Sequence, residues 1–266
     1  MTRSDSSGHP PGDLLDRYGP WAIIAGGSEG VGRSFATQLA QAGLNLVLIA
    51  RKPVALEETA ALCRAHGVEV RPLALDLTAP DAVARVIDEA EDVEVGLLVF
   101  NAGANTHSEE FLDGDLAEFA KVIDLNITTP LALVHHFGRS MRERGRGGIL
   151  MVGSKAASVG SVRHTVYGGV KAFGQTFAEG LWIELREHGV DVLELVLGVT
   201  RTPAMQRVGL SMDIPGMEAA EPDDVAREGL AHLASGPVWR AGEPDQRPRA
   251  DIVLGLHRMM SKLMGS

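Results

Sequence analysis

Tyrosine is scarce in this chain of 266 residues, with 2 in all, and one of them opens the run Tyr167-Gly168-Gly169-Val170-Lys171 within a helical pattern. Residues four apart share one helix face, so a phenol and an ammonium stand together. A free phenol ionises only near pH ~10, and a neighbouring positive charge lowers that value by favouring the phenolate. The pair therefore reads as acid/base chemistry, with Tyr167 exchanging the proton. Upstream, Met151-Val152-Gly153-Ser154 ends an apolar run with a hydroxyl, the kind of donor that a substrate carbonyl needs. Asn126, in Asp124-Leu125-Asn126, puts an amide inside a long helical pattern, a poor choice unless it makes a specific hydrogen bond.

A second group of residues suits a phosphate. The run Ala25-Gly26-Gly27-Ser28-Glu29-Gly30-Val31-Gly32 follows an apolar stretch and leads at once into a helical pattern. Glycine lets the backbone turn sharply and approach a pyrophosphate, while free N–H groups and the dipole of the helix start favour its charge. The spacing G-x-x-x-G-x-G differs from the commoner dinucleotide pattern G-x-G-x-x-G. The next apolar run ends in Ile49-Ala50-Arg51-Lys52, where an NAD-binding chain usually places an acid against the ribose hydroxyls. With a guanidinium there instead, able to pair bidentately with a 2′-phosphate, the sequence favours NADP, with NAD the less favoured cofactor. Glu29, whose carboxylate can lie near that phosphate, argues weakly the other way. Phe100-Asn101-Ala102-Gly103 ends a further apolar run and lets the chain pass close to a flat ligand.

Stepping outward, these groups sit at the ends of short apolar runs: Trp21 to Ala25, Leu44 to Ala50, Val68 to Leu75, Val95 to Asn101, Gly148 to Gly153 and Val190 to Leu197. The runs show little polar alternation, as strands do when a parallel sheet is covered on both faces. Helical patterns at Val31 to Ala42, Val54 to His66, Asp81 to Ala90, Leu116 to Arg142 and Thr165 to His188 supply the cover. The predicted fold is thus α/β, a single-domain doubly wound parallel sheet of the Rossmann type, with the ligand at the carboxyl ends of the strands. Residues 14–266 form the catalytic domain behind a polar tail, Met1 to Asp13, predicted to be disordered. Beyond Leu197 come a Met- and Pro-containing loop, Thr202 to Pro222, a helix, a short strand at Pro237 to Ala241 and a last helix from Asp251.

Composition narrows the class. A net charge of -10 speaks against nucleic acid, whose partners carry a basic face. No apolar run reaches the roughly 20 residues of a membrane span, and the tail lacks the apolar core of a signal peptide. The single cysteine, Cys63, excludes an intramolecular disulfide and fits a cytoplasmic protein. His135-His136 and Glu109-Glu110 find no third ligand at a suitable spacing, so no metal is expected. His164 edges the pocket or is an ordinary loop histidine.

In order and spacing, Gly26-x-x-x-Gly30-x-Gly32, Asp76-Leu77, Asn101-Ala102-Gly103, Asn126, Ser154, Tyr167-x-x-x-Lys171 and Thr202 resemble the short-chain dehydrogenase/reductase family over about residues 20 to 205. The resemblance implies that Tyr167 donates or accepts the proton and that Ser154 orients the substrate oxygen. It implies that Lys171 lowers the phenol pKa and holds the nicotinamide ribose, and that Asn126 supports a water relay. Cofactor contacts fall by the same resemblance on Gly26, Ser28, Glu29, Gly30, Val31, Gly32, Arg51, Asp76, Leu77, Asn101, Ala102, Gly103, Tyr167, Lys171, Thr200 and Thr202. Asp76 belongs to the adenine end, Asn101 supports the pocket, and Thr202 meets the nicotinamide carboxamide. Two positions depart from the family pattern: Ala25 replaces a usual Thr, and Leu197 a usual Pro before Gly198. The opening Tyr18-Gly19-Pro20-Trp21-Ala22 is similar to the 3-ketoacyl-CoA and 17β-hydroxysteroid reductase branch.

The expected activity is hydride transfer between nicotinamide and a carbonyl or secondary alcohol of a hydrophobic small molecule. A catalytically silent NADP-binding regulator is the alternative, but it would have no need of Ser154, Tyr167 and Lys171 together. The extended epimerases and dehydratases bring a larger C-terminal domain and another glycine spacing. By resemblance, pairing of the helices Leu116 to Arg142 and Thr165 to His188 across a two-fold axis implies a homodimer or homotetramer.

Overall fold

The computed structural model describes residues 11–207, 219–243, 246 and 249–264, without the side chains of 11–13 and 260–264. Helix α1 (Pro11–Tyr18) leads into β1 (Trp21–Ala25), α2 (Gly30–Gln41), β2 (Asn45–Ala50), α3 (Pro53–Arg64) and β3 (Val70–Ala74). Then follow α4 (Ala82–Glu89), β4 (Val95–Phe100), α5 (Leu116–Ile123), α6 (Thr129–Arg144), β5 (Gly147–Ser154) and α7 (Thr165–Leu185). The chain continues through β6 (Val190–Leu197), α8 (Pro203–Arg207), α9 (Pro222–Ala231), β7 (Val238–Arg240) and α10 (Arg249–Met264).

The strands form one seven-stranded sheet in the order β3-β2-β1-β4-β5-β6-β7, and every pairing is parallel. Strand alternation explains why the apolar runs lack polar positions. Ile24, Leu46, Leu48 and Leu195 pack with Phe35, Leu39 and Val225 on one face. Ile23, Val47, Ile49 and Val192 pack with Leu133, Phe137 and Ala178 on the other. Pro72, which cannot donate to a ladder, lies in the edge strand β3. The order reverses between β1 and β4, and the crevice at their carboxyl ends is where a doubly wound sheet takes its ligand.

The segment Leu116 to Arg142, predicted as one helix, is interrupted. Between α5 and α6 the residues Asp124–Thr128 form a π-helical turn, closed by the Thr129 N–H to the Asp124 carbonyl. Pro130 supplies the reason: it has no N–H for the Asn126 carbonyl and crowds it, so the backbone widens there. Helix α1 begins at Pro11, so the last three residues of the predicted tail are helical, and beyond them Arg17 pairs with Asp191 of β6 at 2.8 Å. Residues 1–10 of that tail lie outside the described residues. Most of the loop Thr202 to Pro222 does too: 208–218, with Val208, Leu210, Met212, Ile214 and Met217, are not described. No helix among the described residues is long and apolar enough to cross a membrane.

Candidate active site

The phosphate loop is held by its glycines. Gly26 and Gly30 have φ of +84° and +55°, conformations that side-chain-bearing residues rarely adopt. At Gly32, a β-carbon would collide with the Gly26 carbonyl and lie 2.6 Å from Asn101 Nδ2. The contact exists because Asn101 Nδ2 donates to the Gly26 carbonyl at 2.9 Å, tying the end of β4 to the loop after β1. The Asn101 and Ala102 N–H groups donate to the Ala25 carbonyl at 3.0 and 2.7 Å. Backbone bonds thus support this turn where the family's usual threonine is missing. Ser28 and Val31 are buried beneath the loop, and Thr59 Oγ1 donates to the Ser28 carbonyl at 3.1 Å. Glu29 takes the N-cap position of α2 with no side-chain cap bond, so no cap side chain competes for the first N–H groups of that helix.

At the end of β2, Arg51 lies largely exposed with its guanidinium 4.0 Å from Asp76. Burial raises Asp76, but the Thr78 N–H (2.9 Å) and hydroxyl (2.8 Å), with the Arg51 charge, hold its carboxyl below the ordinary value. Neighbouring Leu77 is buried, and its carbonyl accepts from Thr129 Oγ1 at 2.8 Å. Glu29 is neutralised rather than free. Arg207 of α8 pairs with both its oxygens, and Lys52 approaches at 3.5 Å. Arg207 chiefly, assisted by Lys52 against burial, holds the Glu29 carboxyl low. Thr202 packs its methyl against Gly30 and accepts the Met205 N–H at 3.3 Å. Thr200, also buried, donates its hydroxyl to the Gly198 carbonyl at 3.3 Å.

At the ends of β4 and β5 the remaining site residues meet. Ser154 accepts the Ala156 N–H at 3.2 Å and stands near Tyr167 of α7. Burial raises the Tyr167 phenol above its usual value, and the Ser154 hydroxyl pulls it back only in part. This is opposite in direction to the sequence expectation that Lys171 sets a low value. The reason is positional: Lys171 is itself buried, donates to the Val152 carbonyl at 3.0 Å, and holds Nζ 5.7 Å from the phenol ring centre. Its own pKa is pushed down to about 8 by burial, with the charge of Glu194 opposing. Gly103 passes between Lys171 and Asn126, for a β-carbon there would lie 2.6 Å from Lys171 Nζ and 2.8 Å from Asn126 Oδ1. Asn126, in the π turn, donates from Nδ2 to Val122 (2.9 Å) and Ala104 (3.3 Å), while its buried Oδ1 has no partner. His164 precedes α7 with its ring centre 6.3 Å from that of Tyr167.

One residue of this region escapes a motif reading. Glu194, in the middle of β6, is 2% exposed and faces the back of Lys171. Burial raises its carboxyl to about 8, with the Lys171 charge opposing. The signal is present in the sequence, because Asp191 and Glu194 are three apart in a strand and so must point to opposite faces.

The comparisons agree with this geometry. The short chain dehydrogenase family model matches residues 20–212. A 7beta-hydroxysteroid dehydrogenase of Clostridium sardiniense is 31% identical over 260 residues, covering 94% of this chain and 99% of that protein. A very-long-chain 3-oxoacyl-CoA reductase of Laccaria bicolor is 34% identical over 193 residues, 70% of this chain and 57% of that protein. A short-chain dehydrogenase from Sphingobium yanoikuyae, solved in complex with NADPH, superposes with a TM-score of 0.80 at 30% identity, covering 91% of this chain and 95% of that one. The chain belongs to the short-chain dehydrogenase/reductase family and is an NAD(P)-dependent oxidoreductase acting on CH–OH groups.

Proposed function

We propose that this enzyme uses NADP to interconvert a hydrophobic ketone and its secondary alcohol, with Tyr167 as the proton donor and acceptor. The observation that carries the reading is the meeting of Ser154, Tyr167 and Lys171 beside a glycine loop whose neighbouring strand ends in Arg51 and Lys52. The residues present fit a dinucleotide: the positive φ of Gly26 and Gly30 and the close packing of Gly32 on the Gly26 carbonyl fold the loop tightly at the uncapped start of α2, whose first N–H groups can receive a pyrophosphate. The pyrophosphate would lie on Gly26, Ser28, Glu29, Gly30, Val31 and Gly32, the adenosine by Arg51, Asp76 and Leu77. The nicotinamide end would face Asn101, Ala102, Gly103, Tyr167, Lys171, Thr200 and Thr202. When bound, the nicotinamide supplies or accepts the hydride. Ser154 orients the substrate oxygen, and Tyr167 Oη delivers its proton to that oxygen as reduction proceeds or removes it in oxidation. Burial, which keeps the phenol protonated at neutral pH, suits the reductive direction. Asn126 holds an acceptor toward Lys171, as a water relay requires.

The 2′-phosphate reading rests on Arg51, which is exposed and only loosely engaged by Asp76. The hydrophobic substrate is supported by Met205 and the apolar composition of Thr202 to Pro222 in a single catalytic domain, and by the names of the two relatives above. Exposed Ile123 on α5 and Phe173 on α7 support a homodimer or homotetramer, and the lone buried Cys63 a cytoplasmic enzyme. The test is oxidation of NADPH and of NADH over a panel of ketones. Turnover with NADPH and bulky apolar ketones is expected; equal use of NADH, or turnover confined to small polar carbonyls, overturns the corresponding half of the reading.

A further inference from the structure

Beside Lys171 lies a small cavity of about 30 Å³ for water-sized occupants, bounded by Asn126, Lys171 and Glu194 among apolar neighbours such as Phe100, Met151 and Val170. That volume exceeds the roughly 10–15 Å³ needed to seat a water, which also needs about two to four polar partners. The polar inventory matches. Among the described residues, Asn126 Oδ1 and Glu194 Oε2 are the two buried side-chain oxygens without a hydrogen-bond partner, and both belong to residues lining this cavity. Lys171 has three N–H donors and directs one to the Val152 carbonyl. One water that donates to both oxygens and accepts from Lys171 would give each oxygen a donor and Lys171 a second acceptor.

Space for the carboxylate is built in. A β-carbon at Gly153 of β5 would collide with it, and one at Gly174 of α7 would stand 3.2 Å from Oε1. The charged groups that face Glu194 are Lys171 and Glu179 from α7 and Arg240 from β7. Glu179 is occupied by Arg249 at 2.7 Å and Gln175 at 3.3 Å. The carboxylate left to balance Lys171 is Glu194.

We infer that Glu194 is a positioning residue of this active site: joined to Lys171 and Asn126 through a water in the cavity, it keeps Lys171 an ammonium at neutral pH. The inference rests on the assignment of Tyr167 and Lys171 above. Burial alone pushes Glu194 up and Lys171 down, so the pair is poised near neutral pH and the bridge decides which charges persist. Removing the Glu194 carboxyl lowers Lys171 further. Less of Lys171 is then an ammonium at neutral pH.

The pH dependence of NADPH binding reads this without turnover, since the ammonium assigned above to the nicotinamide ribose is lost as pH rises through the Lys171 pKa. Affinity is followed against pH by fluorescence titration of the full-length protein, with Lys171→Met identifying the Lys171 transition. Glu194→Gln is expected to move that transition down by about one unit. Glu194→Asp, which keeps the carboxylate, returns it toward the unmodified value. Glu194→Leu suits the apolar face and is the second variant should the amide not fold, because Lys171, left without its anion, can give up its proton. It must show the same downward shift. A Lys171 transition that stays in place in Glu194→Gln or Glu194→Leu overturns the inference, even if Tm or overall rate falls. If Tyr167→Phe instead keeps full activity while the Lys171 transition shifts as expected, the assignment of Tyr167 fails and the charge coupling stands.

Discussion

Two acids flank this active site and behave in opposite ways. Glu29, on the phosphate loop, is partly exposed, gripped by Arg207 and Lys52, and held below the ordinary carboxyl pKa. Glu194, behind Lys171, is almost wholly buried, has an oxygen without a partner, and is raised. Solvent and mobile side chains can replace the partners of the first, so its charge adjusts position and contributes little free energy. The second has only what the fold provides, and a buried charge short of partners is costly. The cofactor side is therefore a region built on steric exclusion with forgiving charges, and the catalytic side one in which protonation is set by burial. Perturbing the catalytic side should change rate, and perturbing the cofactor side should change affinity.

The largest effect expected from that contrast is at Tyr167. Tyr167→Phe keeps the ring in place and removes the hydroxyl that stands near Ser154. Turnover should fall by about 10²- to 10⁴-fold, while NADPH affinity by fluorescence or calorimetric titration stays near its original value. Loss of affinity with turnover retained would reverse the division between the two sides.

The two regions also differ in how far the sequence discloses them. Glycine spacing encodes steric demands directly: Gly32 must be glycine because the Gly26 carbonyl and Asn101 press on it, and no other residue type meets that need. Tyr167 and Lys171 are legible because helical spacing places them on one face, and the sheet because its runs are apolar on both sides. What spacing cannot convey is protonation. The position of Lys171 promises a lowered phenol, but burial acts on both groups and reverses the direction. The π turn at Asp124–Thr128 is hidden because only the conflict between Pro130 and the Asn126 carbonyl creates it. Glu194 looks like one acid in an ordinary strand until β5 and α7 close over it.

A middle-sized effect belongs to cofactor choice. Arg51 is exposed and has only a 4.0 Å approach to Asp76, so little must be broken for it to engage a 2′-phosphate. Arg51→Asp replaces an attraction by a repulsion. A charge-assisted contact contributes about 1.5–3 kcal/mol, so preference should move toward NADH by roughly 10- to 150-fold in the ratio of kcat/KM values. An unchanged ratio would mean that Lys52 alone, or neither residue, reads that phosphate.

The smallest effect should come from the pair that joins α8 to the phosphate loop. Arg207 holds Glu29 beside Lys52, so a negative charge near the 2′-phosphate position is masked. Arg207→Ala unmasks it. Because both side chains are substantially exposed, the interaction is worth about 0.2–1 kcal/mol, or a weakening of NADPH affinity of roughly 1.5- to 5-fold. The loss should shrink at high salt, where exposed charges are screened. Two causes are separable here: loss of the mechanical tie between α8 and the loop, and exposure of the Glu29 charge. Adding Glu29→Gln to Arg207→Ala leaves the tie broken but removes the charge. Recovery of affinity in the double variant assigns the effect to charge. A double variant as weak as Arg207→Ala alone, with no salt dependence, would assign it to the tie and would mean that the cofactor side is less forgiving than its exposed charges suggest.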